Sequence, residues 1–440
     1  MAIISLIHKQ VIPKNNTLFE DYSMSERCRM NLVAAGFLLM ICLIASVTAA
    51  GLAHTWKERP AGDGSFSGVL ISSNGSTVYA GGNQILVRSW DGEKRWGGLS
   101  GTYATMSADG SRVISAVDNS IRVFDNNGQE IWTRNEGAPF RAVAVSNDGS
   151  LIIGADNNGY IHSYKTKGER WGRNKTDLVK KIAVSPSKSL VVVISDMGLK
   201  FFSSDMEQIW EDNRTGSLDS FIAFSTDSST VFTSGDTMVS SFLNNGDLIW
   251  RKDVTKSAII DMVCSEDCTS IVLGSQDGNV WNLNKQGDIR WKYPAGSWIN
   301  GVGISGDGSV IAAGALDGTI YILDKDGNLL TKTKTDTLIQ QRSVAVSRDG
   351  KKIVVADLGA LYGFDLIGEP DRTPRETIAP AFSVTSAPPV PVKTTLSQTV
   401  PSTIVTAPPD TTSTPKSALT PFLTIIALTG LLFIVMRRKN

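Results

Sequence analysis

The sequence predicts an all-β protein built from eight similar units. Eight strand-like segments each end in a turn that opens on a serine, and these serines recur every 35 to 42 residues: Ser72, Ser107, Ser146, Ser185, Ser225, Ser265, Ser305 and Ser347. Between them lie short β-branched runs separated by Asn, Asp and Gly, the pattern of hairpin strands. A period near 40 residues with four strands per unit is typical of an eight-bladed β-propeller.

The third unit shows the four strands most clearly. Strand-like runs cover residues 141–145, 150–154, 160–164 and 169–171, and each is separated from the next by a short polar turn. One unit is therefore one four-stranded blade.

A tryptophan closes most units, 24 to 26 residues after the turn serine: Trp96, Trp132, Trp171, Trp210, Trp250 and Trp291. Leu330 takes this place in the seventh unit, and the eighth unit has no fourth strand before the β-pattern ends near Ile367. Trp56 supplies the missing tryptophan from the start of the chain. We expect its strand to close the ring, and all seven indoles to pack between blades rather than to stack on sugars.

Two features resemble known propeller families. The segment from Asp125 to Trp132 resembles the tryptophan-docking repeat of PQQ-like propellers, and Ser-x-Asp-Gly followed by Asp-Gly resembles WD40 blades. The resemblance covers roughly residues 56–368 and implies a propeller. Quinoprotein members need a calcium site, a catalytic carboxylate and residues that stack on the quinone. No such assembly is found here, so we predict no cofactor and no metal.

The chain divides by composition into a propeller between two hydrophobic ends. The predicted segments are 1–31, a cytoplasmic or n-region extension; 32–53, a signal peptide or signal-anchor helix; 54–368, the propeller; 369–417, a Pro/Thr/Ser-rich stalk; 418–436, a transmembrane helix; and 437–440, a basic cytoplasmic end. Basic residues precede the first hydrophobic segment and follow the second, which predicts that these residues are cytoplasmic. The propeller between the two segments is therefore predicted on the extracytoplasmic side of the cell membrane.

The tail from Lys416 to Phe422, followed by an apolar helix and a basic end, resembles the C-terminal sorting tails of archaeal surface proteins. Thr-Pro-Phe stands where many such tails have Pro-Gly-Phe. The chain also resembles propeller lipoproteins that assist outer-membrane protein assembly. However, no lipobox cysteine follows the apolar segment, since Cys42 lies inside it.

Charge and composition offer little catalytic chemistry. The 43 basic and 43 acidic side chains balance, which argues against a nucleic-acid partner. His162 is a lone histidine in a strand, and we expect it to be a packed or surface residue. Asp324 and Asp326 alternate as in a calcium loop, but the equivalent turns share no ligand set, which favours a simple turn.

The loops that lead into each innermost strand should form the binding face of the disc. Its predicted rim contains Phe140, Lys180, Lys181, Asp219, Asp261 and Trp298. Trp298 is either an exposed anchor or packed over the channel mouth.

Two kinds of covalent modification are also predicted. Sequons occur at Asn74, Asn174 and Asn213, and the last two are expected in those loops. Cys264 and Cys268 flank a turn and are either a disulfide or free buried thiols.

The sequence favours a membrane-anchored, surface-displayed propeller that acts as a non-catalytic recognition or scaffolding module with a protein or glycan partner. The alternative is an extracytoplasmic enzyme of quinoprotein, hydrolase or lyase type, with its site at the mouth of the central channel.

Overall fold

The computed structural model describes residues 50–60, 65–82, 84–98, 103–212 and 219–368. Within these ranges no helix is long and apolar enough to cross a membrane. The stalk, the predicted helix at 418–436 and most of the N-terminal hydrophobic segment lie outside the described residues.

Strands account for all the regular secondary structure described. In chain order they are β1 (Gly51–Glu58), β2 (Phe66–Ile71), β3 (Thr77–Gly82), β4 (Leu86–Ser89), β5 (Lys94–Gly97), β6 (Tyr103–Met106), β7 (Arg112–Val117), β8 (Ser120–Asp125), β9 (Glu130–Asn135), β10 (Phe140–Val145), β11 (Leu151–Asp156), β12 (Tyr160–Lys165), β13 (Arg170–Lys175), β14 (Val179–Val184), β15 (Leu190–Ser195), β16 (Gly198–Ser203), β17 (Gln208–Asp212), β18 (Asp219–Phe224), β19 (Thr230–Gly235), β20 (Met238–Leu243), β21 (Leu248–Asp253), β22 (Ile259–Cys264), β23 (Ile271–Ser275), β24 (Asn279–Leu283), β25 (Ile289–Pro294), β26 (Ile299–Ile304), β27 (Val310–Ala315), β28 (Thr319–Asp324), β29 (Leu329–Lys334), β30 (Ile339–Val346), β31 (Lys352–Asp357) and β32 (Leu361–Ile367).

These strands form eight antiparallel four-stranded sheets, which confirms the predicted eight-bladed propeller. Seven blades are consecutive, from β2-β3-β4-β5 to β26-β27-β28-β29, and the eighth has the order β30-β31-β32-β1. β1 pairs with β32 from Gly51↔Ile367 to Glu58↔Leu361, which is the predicted closure by an N-terminal strand. β1 begins at Gly51, so it includes three residues that the sequence analysis placed in the hydrophobic segment.

The turn between the first and second strand of each blade is shaped by its serine. In all eight described turns the serine Oγ accepts a hydrogen bond from the amide five residues later, at 2.9 to 3.1 Å. In six of them the hydroxyl also donates to an aspartate two residues after it. The fourth residue of each turn has a positive φ, and it is glycine in five turns. The repeated serine is therefore a turn-forming residue.

Tryptophans of the outermost strands join neighbouring blades. The indole N–H groups of Trp132, Trp250 and Trp291 donate to a backbone oxygen of the next blade at 2.9 to 3.0 Å. The ring lies against the glycine of the turn between the third and fourth strands of that blade. A Cβ atom on Gly246 would lie 2.1 Å from Cγ of Trp210, so glycine is what permits this close approach.

Trp56 makes the contact that closes the ring. Its side chain in the eighth blade packs edge-on against Trp90 of the first blade, with ring centroids 5.6 Å apart. The Arg88 guanidinium lies 3.7 Å from the ring centroid of Trp56. Trp171 differs from the other tryptophans because Met206, at φ +71°, stands where most blades have the turn glycine, and Trp171 remains 44% exposed.

We expect Gly246→Ala to destabilise the propeller more than Gly296→Ala. Both glycines have positive φ, so both variants carry backbone strain of about 1 kcal/mol. Only the Gly246 variant also collides with Trp210, which adds roughly 1–3 kcal/mol, whereas a Cβ on Gly296 meets nothing within 4 Å. Chemical denaturation of the two variants measures the difference, and equal free energies of unfolding would contradict the docking geometry.

Candidate functional site at the channel mouth

The innermost strands β2, β6, β10, β14, β18, β22, β26 and β30 surround the central channel. The loops that lead into them, together with the turns between second and third strands, form one face of the disc, which we call the loop face. The serine turns and the glycine turns under the tryptophans lie on the opposite face, which we call the turn face. The channel mouth considered below opens on the loop face.

A cavity of about 450 Å³ occupies this end of the channel. Its wall carries small residues, among them Gly68, Ala104 and Ala142, which leave the space open. Four basic residues line it, Arg141, Lys180, Lys181 and Arg342, and no acidic residue is among the described residues that do so. The mouth is therefore locally basic although the whole chain has no net charge.

Arg342 reaches the channel through an irregularity in β30. Ile339 pairs with Asp357 and Val344 with Val355, so β30 uses two more residues over this interval than β10 does between Phe140 and Val143. Arg342 lies in this insertion with φ +58°, a conformation that costs a non-glycine residue of the order of 1 kcal/mol.

The Arg342 side chain crosses from the eighth blade to the fifth. Its guanidinium carbon lies 4.6 Å from the Phe221 ring centroid, and Nη2 lies 3.5 Å from the Ser220 backbone oxygen. Stacking on Phe221 orients the guanidinium. The Arg342 side chain also lines the cavity.

Lys181 and Asp261 share the electrostatic field of Arg342. Burial and, to a smaller extent, the nearby Arg342 lower the pKa of Lys181 to about 8, although Asp261 opposes the change. Burial raises the pKa of Asp261 to about 6, against the stabilising effects of the Val302 amide and of Arg342. The Asp261 carboxylate accepts the amides of Met262 and Val302, each at 3.0 Å, so it is held in the channel wall.

The structure places the predicted rim residues in different environments. Phe140 is buried against His162, so its assignment to an exposed rim is wrong. Asp261 is also buried, and its placement on the rim is likewise wrong. Lys180 is exposed and pairs with Asp196 at 3.1 Å, Lys181 lines the cavity, and Trp298 is 48% exposed. Asp219 begins β18, and its side chain lies outside the described set.

Sequence reasoning missed Arg141 and Arg342. Arg141 was read only as part of a strand, and nothing in a single strand shows which residues reach the channel. Arg342 did leave a signal, because the interval between Ser305 and Ser347 is 42 residues, the longest between turn serines. The two extra residues are the insertion in β30.

His162 belongs to a buried polar cluster within the third blade. Its Nε2 lies 3.0 Å from Oδ2 of Asp156, and its Nδ1 lies 3.7 Å from Oε2 of Glu136. Glu136 also accepts the Tyr164 hydroxyl at 2.8 Å and pairs with Arg170. Burial lowers the pKa of His162, while Asp156 opposes this. Among the residues described, no three His, Cys, Asp or Glu side chains group closely enough to hold a metal ion.

The two described sequons lie in a turn and in a strand. Asn74 replaces the turn aspartate and accepts the Ser72 hydroxyl at 2.7 Å. Asn174 lies in β13 and not in a loop as expected, and its Nδ2 donates to the Met206 oxygen at 2.8 Å. Asn213 falls outside the described ranges.

The cysteine pair lies on the turn face. Cys264 and Cys268 are joined by a disulfide with Cα atoms 5.0 Å apart, one of the two states left open by the sequence.

Comparison with known proteins places the chain among propellers. A family model described as outer membrane protein assembly factor BamB matches residues 202–365, from the fourth blade to the eighth. No curated protein matches the sequence. The family match confirms the resemblance to PQQ-like propellers over a little more than a third of the chain.

Several solved propellers are similar in fold. The C-terminal WD40 domain of Sif2 is 15% identical with a TM-score of 0.60, covering 72% of this chain and 99% of that domain. Sqt1 of Chaetomium thermophilum, bound to the N-terminus of the ribosomal protein L10, is 13% identical with a TM-score of 0.60, covering 72% and 100%. The Dos1 propeller is 14% identical with a TM-score of 0.58, covering 72% and 96%. These likenesses confirm the WD40-like architecture.

Asp261 should make stability depend on pH. Its pKa rises from 3.8 in the unfolded chain to about 6 in the fold, so the folded state binds the proton more tightly. Stability from this group is fully present below pH 4 and is lost as pH rises through 6. We expect the free energy of unfolding of the wild type, relative to Asp261→Asn, to fall by about 2–3 kcal/mol between pH 4 and pH 7.

Asp227→Asn is the matched control for this measurement by urea denaturation. Hydrogen bonds from Ser225 and Ser229 lower the pKa of Asp227 to about 2, so its contribution changes little over the same interval and in the opposite direction. Asn74 occupies the equivalent turn position naturally. A difference between wild type and Asp261→Asn that stays constant with pH would contradict the buried carboxylate.

Proposed function

We propose that this chain is a non-catalytic recognition module whose loop face binds a protein partner. We also propose that its terminal hydrophobic segments anchor it in a membrane and display the propeller on the extracytoplasmic side. The propeller fold and its BamB-like and WD40-like relatives support a recognition or scaffolding module. The loop face supplies the observation that carries the proposal of a protein partner.

That observation is a set of exposed apolar side chains in the loops of this face. They are Leu178 and Met197 in the fourth blade, Trp298 in the seventh, and Leu338 and Leu358 in the eighth. Large apolar side chains in solvent stabilise nothing in the isolated chain. Aromatic and aliphatic anchors of this kind dominate the binding energy of protein interfaces.

The loops that carry these side chains are held to their own blades. The Leu316 amide donates to the Trp298 oxygen at 2.7 Å, and the Leu358 amide donates to the Leu338 oxygen at 3.0 Å. The Asn300 side chain, beside Trp298, also donates to the Ile339 oxygen of the eighth blade at 2.9 Å. The apolar loops of the seventh and eighth blades therefore form a fixed platform, which lowers the entropic cost of binding.

Two further observations agree with this proposal. The Sqt1 propeller, similar in fold, has been solved with the N-terminus of a ribosomal protein, so the architecture can hold a protein segment. Asp261, a buried carboxylate of the innermost strand β22, already accepts two backbone amides. A recognition role requires only the surface that the structure describes and no catalytic group.

The membrane part of the proposal is supported by the sequence. Residues 418–436 are mostly apolar and long enough to span a bilayer, and Arg437, Arg438 and Lys439 follow at once. Arg27 and Arg29 precede the N-terminal hydrophobic segment. The Pro-rich segment between the propeller and the tail would hold the loop face away from the lipid surface.

We expect Trp298→Ala to reduce capture of the partner at least tenfold without changing the melting temperature, because Trp298 is exposed and contributes little to the core. The full chain, solubilised in detergent, is incubated with cell-surface extract, and bound proteins are quantified. Trp171→Ala is the matched control, since Trp171 is similarly exposed but lies on an outermost strand. Equal capture by Trp298→Ala and wild type would contradict binding at the loop face.

Protease added to intact cells should release the propeller as a soluble fragment by cutting between residues 369 and 416, because a Pro/Thr/Ser-rich segment cannot build a protective core. Immunoblots of the supernatant and of a cytoplasmic marker protein measure release and cell integrity. If the fragment appears only after the cells are opened, the proposed topology is wrong.

A further inference from the structure

Three basic side chains at the channel mouth have no acidic partner among the residues that the structure describes. Among the described residues, no carboxylate oxygen lies within 4.0 Å of the cationic nitrogens of Arg141, Lys181 or Arg342, whereas Lys180 beside them pairs with Asp196. Three cations that share one cavity repel each other, and water screens the half-buried Arg141 and Lys181 less than the exposed Arg342. The pKa of Lys181, lowered first by burial and then by Arg342, reflects both effects.

The two cations that are fully buried among the described residues are both paired with carboxylates. Lys200 lies 2.7 Å from a carboxylate oxygen of Asp177, and Arg88 lies 3.1 Å from one of Glu58. Pairing is the ordinary way to stabilise a charge taken out of water. The cations at the channel mouth are exposed or half-buried, and they are grouped around one cavity instead of being paired.

The basic cluster at the channel mouth includes a residue in a locally distorted strand. Arg342 lies in a two-residue insertion, adopts a left-handed backbone conformation and stacks on Phe221 across the channel. Strained backbone at a non-glycine residue is concentrated at functional sites. Here the strained residue places its guanidinium on the same cavity as Arg141 and Lys181, an arrangement that repulsion between like charges disfavours.

We propose that the mouth of the channel binds a ligand that carries two or more closely spaced oxyanions, carboxylate or phosphate. Arg141 and Arg342 offer planar guanidinium groups suited to paired oxygen atoms, and Lys181 adds a point charge. The cavity of about 450 Å³ has room for a small polyanion, and small residues on its wall keep it open. The same chemistry is found in a free metabolite or in an acidic segment of a protein, and only the second source depends on the proposed function.

The test is isothermal titration calorimetry of the full chain in detergent at constant ionic strength. Citrate and pyrophosphate probe a free polyanion, hexaglutamate probes an acidic segment, and acetate is the singly charged control. We expect saturable binding of at least one of the three polyanions at one site per chain, and no saturation by acetate.

Arg342→Gly is the decisive variant. Glycine suits the positive φ at this position, so the variant should fold at least as well as the wild type while lacking the guanidinium. We expect it to weaken binding at least tenfold, and Lys181→Met to do the same. Arg348→Ala, which removes an arginine of the same blade on the turn face, should leave binding unchanged.

Each result has a defined meaning. Binding of citrate or pyrophosphate that Arg342→Gly weakens identifies a free ligand, and binding of hexaglutamate alone with the same dependence identifies a protein segment. No saturable binding of any polyanion, or binding that Arg342→Gly leaves unchanged in a folded protein, would overturn the site. Loss of partner capture by Trp298→Ala is measured separately, so either proposal can fail alone.

Discussion

The structure depends on the contact between each blade and the next. A four-stranded sheet with two apolar faces cannot stand alone in water, and in this chain each blade buries those faces against its two neighbours. Val354 and Leu361 of the eighth blade pack in one cluster with Val69 and Val78 of the first. Because every blade needs two neighbours, the arrangement is stable only as a closed ring, and the pairing of β1 with β32 meets that requirement.

Closure also explains where the chain can vary without cost. The second strands of the blades are almost wholly buried, so their sequences consist mainly of apolar and small residues. The innermost strands have one edge on the channel, where no neighbouring strand fixes the register. The two-residue insertion in β30 is tolerated there because β31 and β32 keep their own pairing.

The parts of the fold that the sequence predicts are those with local causes. The serine turn is formed by one hydroxyl acting on an amide five residues away, and Trp132 and Gly168 recur at a similar spacing to their counterparts in other blades. The set of residues that line the channel mouth does not follow from a local sequence pattern. Phe140 and Arg141 are adjacent in sequence, but the register of β10 shifts between Phe140 and Ala142. Phe140 is consequently buried, whereas Arg141 lines the cavity.

The two faces of the disc consequently differ in kind. On the turn face, short-range hydrogen bonds engage the polar groups, as the Ser146 hydroxyl and the Asp148 carboxylate do with each other. On the loop face, the Trp298 side chain is exposed, and Arg342 reaches Phe221 of the fifth blade while it also lines the cavity. The loop face therefore combines exposed apolar side chains with cations that have no carboxylate within 4.0 Å among the described residues, and both proposals of binding depend on that combination.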